Sequence, residues 1–227
     1  MVWRIIKKMT RILLLDTETN GLPKNRYAPP STPNNWPAIL QLSWATYILG
    51  PDGRTLTQES VRDLGLMLPT DEAWSPEAAA VHGISEMEAR SGTPALDGLQ
   101  ELQVALRTAN VVVAHNLAFD KPVLRAAAYR VGLRDFWPPA GSGRLQEFCT
   151  MEGTRDLLRL PSSHEKATRW KAPRLNELHT WLFGHPYDIS GATLHSSASD
   201  VQCLASCLTA LLARGLLPSL SGAATRA

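Results

Sequence analysis

The chain has 227 residues, 44% of them hydrophobic and 19% charged, enough for one substantial α/β domain and too apolar for a disordered one. Lys and Arg number 23 against 21 Asp and Glu, so the formal net charge is only +2, which excludes a histone-like polycation or an acidic tail but permits a local basic face. The longest aliphatic runs, residues 12–15 and 111–114, are far too short to cross a bilayer, and three cysteines argue for a reducing, cytoplasmic setting rather than a disulfide scaffold.

Residues 1–10 read as an N-terminal extension, basic but without the apolar stretch of a signal peptide, and Met9 is an alternative start. Residues 11–15 form an aliphatic run ending in Asp16, the pattern of a buried central strand. Prolines at 23, 29, 30, 33 and 37, with Gly21, mark a loop, either a substrate-facing lid or an idle surface segment. A second strand is expected over 39–49, a turn at Pro51-Asp52-Gly53 and a third strand within 54–68. The chain thus opens with an antiparallel meander.

Helices follow. Ser75-Pro76-Glu77 supplies an N-cap, a proline at the first helical position and an early acid. A short helix is expected over 85–90, and another begins at Thr93-Pro94 with Leu99, Leu102 and Leu106 on one face. Residues 111–114 read as a fourth strand and 118–131 as a helix ended by Gly132. A short fifth strand over 148–151 precedes a helix over 152–160; further helices are expected over 174–183 and 196–214. Cys203 and Cys207, four apart on the last helix, fit two small core residues better than a metal pair. Residues 11–214 form one domain, and 215–227 form a small, polar tail expected to fray. The architecture is a mixed five-stranded α/β sheet, antiparallel first and parallel after, with helices on both faces.

Three segments carry chemistry. Asp16 and Glu18, two apart at the end of a strand, project to the same face, where their charges repel unless a cation lies between them; a helix cap or surface turn is the alternative. Asp120 follows the fourth strand in a first helical turn, where it serves either the helix dipole or a site at the strand ends beside Asp16. His195 precedes the last helix, capped by Ser196 or Ser197, and Asp200 lies in its first turns, so the two can face one site; a solvated loop histidine is the alternative. Together these segments supply four carboxylates and one histidine. An oxygen-only donor set suits two divalent cations, Mg²⁺ or Mn²⁺, about 3.5–4 Å apart, as in two-metal phosphoryl transfer. A histidine of ordinary pKa near 6.5 can deprotonate water at neutral pH.

With these residues in place the sequence resembles the DEDDh 3′-to-5′ exonucleases, the superfamily of the DNA polymerase III proofreading subunit, within the ribonuclease H-like fold. The resemblance runs over residues 11–212 and rests on DTETNGL at 16–22, AVHGIS at 80–85, HNLAFD at 115–120, the segment at 171–184 and the His195-to-Asp200 spacing. It implies that Asp16, Glu18, Asp120 and Asp200 hold the two metals and that His195 is the general base. It implies that Thr17, Thr19 and Leu22 line the pocket of the 3′-terminal nucleotide, with His82 and Phe119 nearby and Asn116 steadying the second motif. The activity implied is release of nucleoside 5′-monophosphates from single-stranded or frayed ends, with DNA preferred over RNA. An RNA-directed 3′-to-5′ exoribonuclease, a proofreading or DNA-repair subunit that acts mainly as a DNA polymerase partner, and a catalytically silent binding module are the other readings; a membrane is not expected as a partner. Three departures stand out: Asn20 replaces the usual Thr, and Ser197 and Ser199 stand where alanines are common. Residues 155–174 hold Arg155, Arg159, Lys166, Arg169, Lys171 and Arg174 around Trp170, either a path for single-stranded nucleic acid or a solvated basic loop.

Overall fold

In the computed structural model, which describes residues 9–32, 34–139, 142–163, 168–188, 196–217 and 220, the first strand β1 covers Thr10–Thr19. Its residues Ile12, Leu13, Leu14 and Leu15 are all wholly buried, so both faces of the strand need cover. They receive it in alternation, as the two-residue period of a strand requires. Leu13 and Leu15 pack with Leu99, Leu102 and Leu106 of α3 (Ala95–Thr108) and with Val123 and Leu124 of α4 (Leu117–Arg130). Ile12 and Leu14 pack with Val201, Leu204 and Leu208 of α7 (Ser197–Ala213).

The other strands are β2 (Ile39–Leu49), β3 (Leu56–Gly65), β4 (Val111–Ala114) and β5 (Gln146–Cys149), in the sheet order β3-β2-β1-β4-β5. β1, β2 and β3 pair antiparallel, while β4 and β5 add in parallel. This is the mixed five-stranded sheet expected, with helices on both faces. The remaining helices are α1 (Pro76–His82), α2 (Glu86–Arg90), α5 (Thr150–Leu158) and α6 (Leu175–Phe183).

Local chemistry explains where the helices start. The Ser75 hydroxyl accepts from the Ala78 amide with Pro76 behind it, and Ser85 and Glu88 form a reciprocal capping box. Ser196 caps α7 by accepting from the Ser199 amide. Cys203 and Cys207 are buried among Leu158, Leu178 and Leu211, as small core residues.

Four expectations need correction. β1 does not end at Asp16 but runs to Thr19, because β2 stays paired along the whole length, from Thr10 opposite Leu49 to Thr19 opposite Ile39. It also begins at Thr10, within the segment expected to be an extension. The fifth strand lies two residues earlier than its composition suggests, since pairing with β4 sets Val111 opposite Gln146 and Ala114 opposite Cys149, and α5 then starts at Thr150. Leu220, placed by sequence in a frayed tail, is 1% exposed and belongs to the cluster around Leu14 and Leu208.

The proline-rich loop is packed onto the domain. Its Trp36 is buried in the main core and donates its indole N–H to the Pro29 carbonyl at 3.1 Å. The Arg130 guanidinium, from the end of α4, donates to the carbonyls of Trp36 and Pro37. The Asn35 side chain closes the loop on both backbone groups of Asn25. Pro33 lies outside the described residues.

Candidate active site

Asp16 and Glu18 share the strand parity of Ile12 and Leu14, so both carboxylates face α7. Asp200, in the first turn of α7, meets them there. One carboxylate oxygen from each of Asp16, Glu18 and Asp200 lies within 4.8 Å of the others. Asp120 comes from the opposite side, in the first turn of α4, and is 2% exposed. Its Oδ1 accepts the Thr17 hydroxyl at 2.8 Å. The close triple does not include it, but its charge is felt by Asp16 and Glu18.

The electrostatics follow from this crowding. Burial, then the charges of Asp120, Asp200 and Glu18, push the Asp16 carboxyl well above the usual carboxylate range. Burial and the same two aspartates raise Glu18 to about 8. Burial raises Asp120 to about 7, against the opposing pull of the Thr17 hydroxyl. A cluster of acids that holds its protons near neutrality is costly to ionise and gains from a bound cation. The donors are all carboxylate oxygens, which fits hard divalent ions such as Mg²⁺ and Mn²⁺ better than zinc.

The residues expected to line a nucleotide pocket are divided. Thr17 and Thr19 are buried and their hydroxyls are committed, Thr17 to Asp120 and Thr19 to the Gly21 carbonyl at 2.7 Å. Leu22 is 81% exposed at the rim, beside a cleft of about 380 Å³ that Asn20, Lys24, Asn35 and Glu72 also line. His82 is buried at the end of α1, where its Nδ1 accepts the Ile84 amide. Asn116 adopts the left-handed conformation, φ 79°, and its carbonyl accepts the Phe119 amide, turning the chain from β4 into α4. Phe119 packs half-buried against the main core. His195 lies outside the described residues.

Several residues at this end of the sheet have roles that the motifs did not assign. His115 bridges the Thr150 hydroxyl and the Pro173 carbonyl, each at 2.9 Å, and so ties the segment before α6 to the end of β4. Burial lowers its pKa, which keeps the ring neutral and allows one nitrogen to donate and the other to accept. Gln41, Ser43, Asp63 and Ser197 form a second such group. Only strand register, which brings distant residues side by side, could have revealed it.

The basic stretch is partly spoken for. Arg155 and Arg169 both pair with Glu152, and Lys171 pairs with Glu177, while Trp170 stands 43% exposed. Lys166 lies outside the described residues. Among the described residues, no helix is long and apolar enough to cross a membrane.

No family model matches the sequence, and no curated protein matches it significantly. Solved structures do match. Escherichia coli exonuclease I in complex with a 5cy-dA13 oligonucleotide superposes with a TM-score of 0.64 at 16% identity, over 89% of this chain and 40% of that one. The zinc-bound form of the same enzyme with single-stranded DNA gives 0.65 at 18% identity, over 91% and 42%. Exonuclease I from Methylocaldum szegediense gives 0.60 at 20% identity, over 88% and 40%. The chain therefore has the ribonuclease H-like exonuclease fold of these proteins, and it spans about two fifths of their length.

Proposed function

We propose that this chain is a metal-dependent 3′-to-5′ exonuclease that hydrolyses phosphodiester bonds from the 3′ end of single-stranded or frayed DNA and releases nucleoside 5′-monophosphates. The observation that carries the reading is the packing of Asp16, Glu18 and Asp200 within 4.8 Å, with Asp120 at their side, in a fold shared with a nuclease. In this reading the four carboxylates hold two divalent cations, Mg²⁺ or Mn²⁺. The cations, when bound, supply neutralisation of the acids and of the charge that develops on the scissile phosphate.

The chain's own residues do the rest. His195 accepts the proton of the attacking water as general base. Thr17 orients the Asp120 carboxylate through the hydrogen bond at 2.8 Å. Thr19, Leu22, His82, Asn116 and Phe119 shape the pocket of the terminal nucleotide, Thr19 and Asn116 by fixing the backbone turns on either side of the carboxylates. Trp170 and the basic residues around it offer the single strand a path. DNA is preferred over RNA because the matched nuclease structures hold DNA oligonucleotides, and those structures give a polymerase partner no support.

A gel time course on 5′-labelled single-stranded DNA and RNA, with Mg²⁺, with Mn²⁺ and with EDTA, tests this. A ladder that shortens from the 3′ end, is stronger on DNA and is erased by EDTA is expected. Binding of both strands without cleavage in either metal would refute the enzymatic reading in favour of a silent binding module.

A further inference from the structure

Each of the two β1 carboxylates has a polar neighbour on β2. Asp16 pairs with Ser43 and Glu18 with Gln41, and Ser43 pairs in turn with Asp63 on β3. Residues paired across strands share a face, here the face that α7 covers. Ser197, the first residue of α7, is wholly buried and lands on this row. Its hydroxyl lies 2.6 Å from that of Ser43, and its amide donates to Gln41 Oε1 at 3.1 Å. Asp63 Oδ1 accepts from the Ser43 hydroxyl at 2.7 Å and from the Gln41 amide nitrogen at 2.8 Å.

The proton directions in this network are determined. Ser43 has one hydroxyl proton and gives it to Asp63, so the Ser197 hydroxyl must donate to Ser43. The Gln41 NH₂ group is held on Asp63, so its carbonyl faces the Ser197 amide; the flipped amide would set two donors against each other. That Ser197 amide is one of the first four of α7, which have no partner within the helix. A network in which every member makes two hydrogen bonds rigidifies the elements it joins. Three residues along from Ser197, Asp200 faces Asp16 and Glu18 against their repulsion.

We propose that Ser43, Gln41 and Asp63 are positioning residues that seat the first turn of α7 on the sheet and so fix Asp200 against Asp16 and Glu18. Ser43 and Asp63 act through Ser197. The inference rests on reading the triple as a metal site.

The test compares wild type with Ser43→Ala, Gln41→Leu, Asp63→Ala and Asp63→Asn. The first readout is hydrogen exchange of the amides of residues 199–201 in ion-free protein, with 208–211 as the internal control. The second is Mn²⁺ affinity by calorimetry without nucleic acid. Ser43→Ala leaves the buried Ser197 hydroxyl without its acceptor and should speed exchange at 199–201 and weaken Mn²⁺ each by about tenfold, the effect of one lost buried hydrogen bond. Asp63→Ala, at an exposed position, should move both in the same direction if Ser43→Ala does not fold, and Asp63→Asn, which keeps an acceptor oxygen, should restore them. Unchanged Mn²⁺ affinity in Ser43→Ala, Gln41→Leu and Asp63→Ala overturns the proposal, even if exchange quickens, because the network is then structural only. Wild-type protein that binds no Mn²⁺ refutes the metal reading instead; unchanged exchange in the variants would then overturn the seating of α7 as well.

Discussion

Binding of a divalent cation to this site should release protons, because burial and mutual repulsion hold protons on its carboxyls. Ligation requires ionised carboxylates. Glu18, raised to about 8, is protonated to about 0.9 at pH 7 in the ion-free protein, and Asp120, raised to about 7, to about 0.5. Together they should yield about 1.4 protons on saturation at pH 7, before any contribution from Asp16, whose carboxyl burial and three acidic neighbours also raise well above the usual range. At pH 9 the share from Glu18 and Asp120 should shrink to about 0.1, since both are then ionised before the metal arrives. The assay is calorimetric titration with Mn²⁺ in buffers of small and large ionisation enthalpy, where the slope of apparent enthalpy against buffer enthalpy counts the protons. Glu18→Gln should lower that slope by about 0.9 at pH 7. Full-affinity binding with zero slope at pH 7 would show that the carboxylates are already ionised without metal, and would refute the claim that burial and mutual repulsion dominate the site.

The same shifts set the stability of the ion-free protein. Glu18 moves from an ordinary 4.5 to about 8 on folding, so the folded chain holds more protons than the unfolded one between those values and loses stability as pH rises through them, at up to about 1.4 kcal/mol per pH unit. Glu18→Gln should therefore raise the ion-free melting temperature at pH 8 while abolishing turnover; a lower melting temperature would contradict the sign. His195→Ala should cut kcat by about 10²–10⁴ and leave calorimetric Mn²⁺ binding intact, and an undiminished rate would remove its assignment as general base. Gly92→Ala should destabilise by about 1–3 kcal/mol in urea unfolding, because the new methyl would lie 2.5 Å from the Leu66 carbonyl carbon and 2.7 Å from the Met67 nitrogen, both backbone atoms that cannot swing aside.

The position of the carboxylates in the fold gives their strain a physical source. Asp16 and Glu18 sit within a strand whose preceding residues are wholly buried, and Asp120 and Asp200 arrive from helices on opposite faces of the sheet. Each helix is fastened beside its acid: α4 by the Asn116 turn and the Thr17 hydroxyl, α7 by Ser196, Ser43 and Gln41. Repulsion among the acids is thereby resisted by hydrogen bonds at their own elements, and the site can stay assembled before a cation binds.

Much of this was legible in the amino acids alone. The wholly aliphatic runs at 12–15 and 111–114 specified buried strands, and Ser75, Ser85 and the Ser196-Ser197 pair specified helix starts, with Ser196 the cap in the structure, because capping and strand burial act through residues within a turn or two of each other. Asp16 and Glu18 had to share a face, since the strand period is two. Tertiary structure decided the rest. It paired β5 with β4 two residues earlier than composition suggests, buried Leu220, packed the proline-rich loop through Trp36, and committed Asp120 to Thr17 outside the close triple. It also set Ser43 against Ser197 across 154 residues of chain. Such contacts depend on strand register and on how a helix lies across the sheet. These are settled by the burial of both faces of β1 at once, and no short stretch of sequence carries that information.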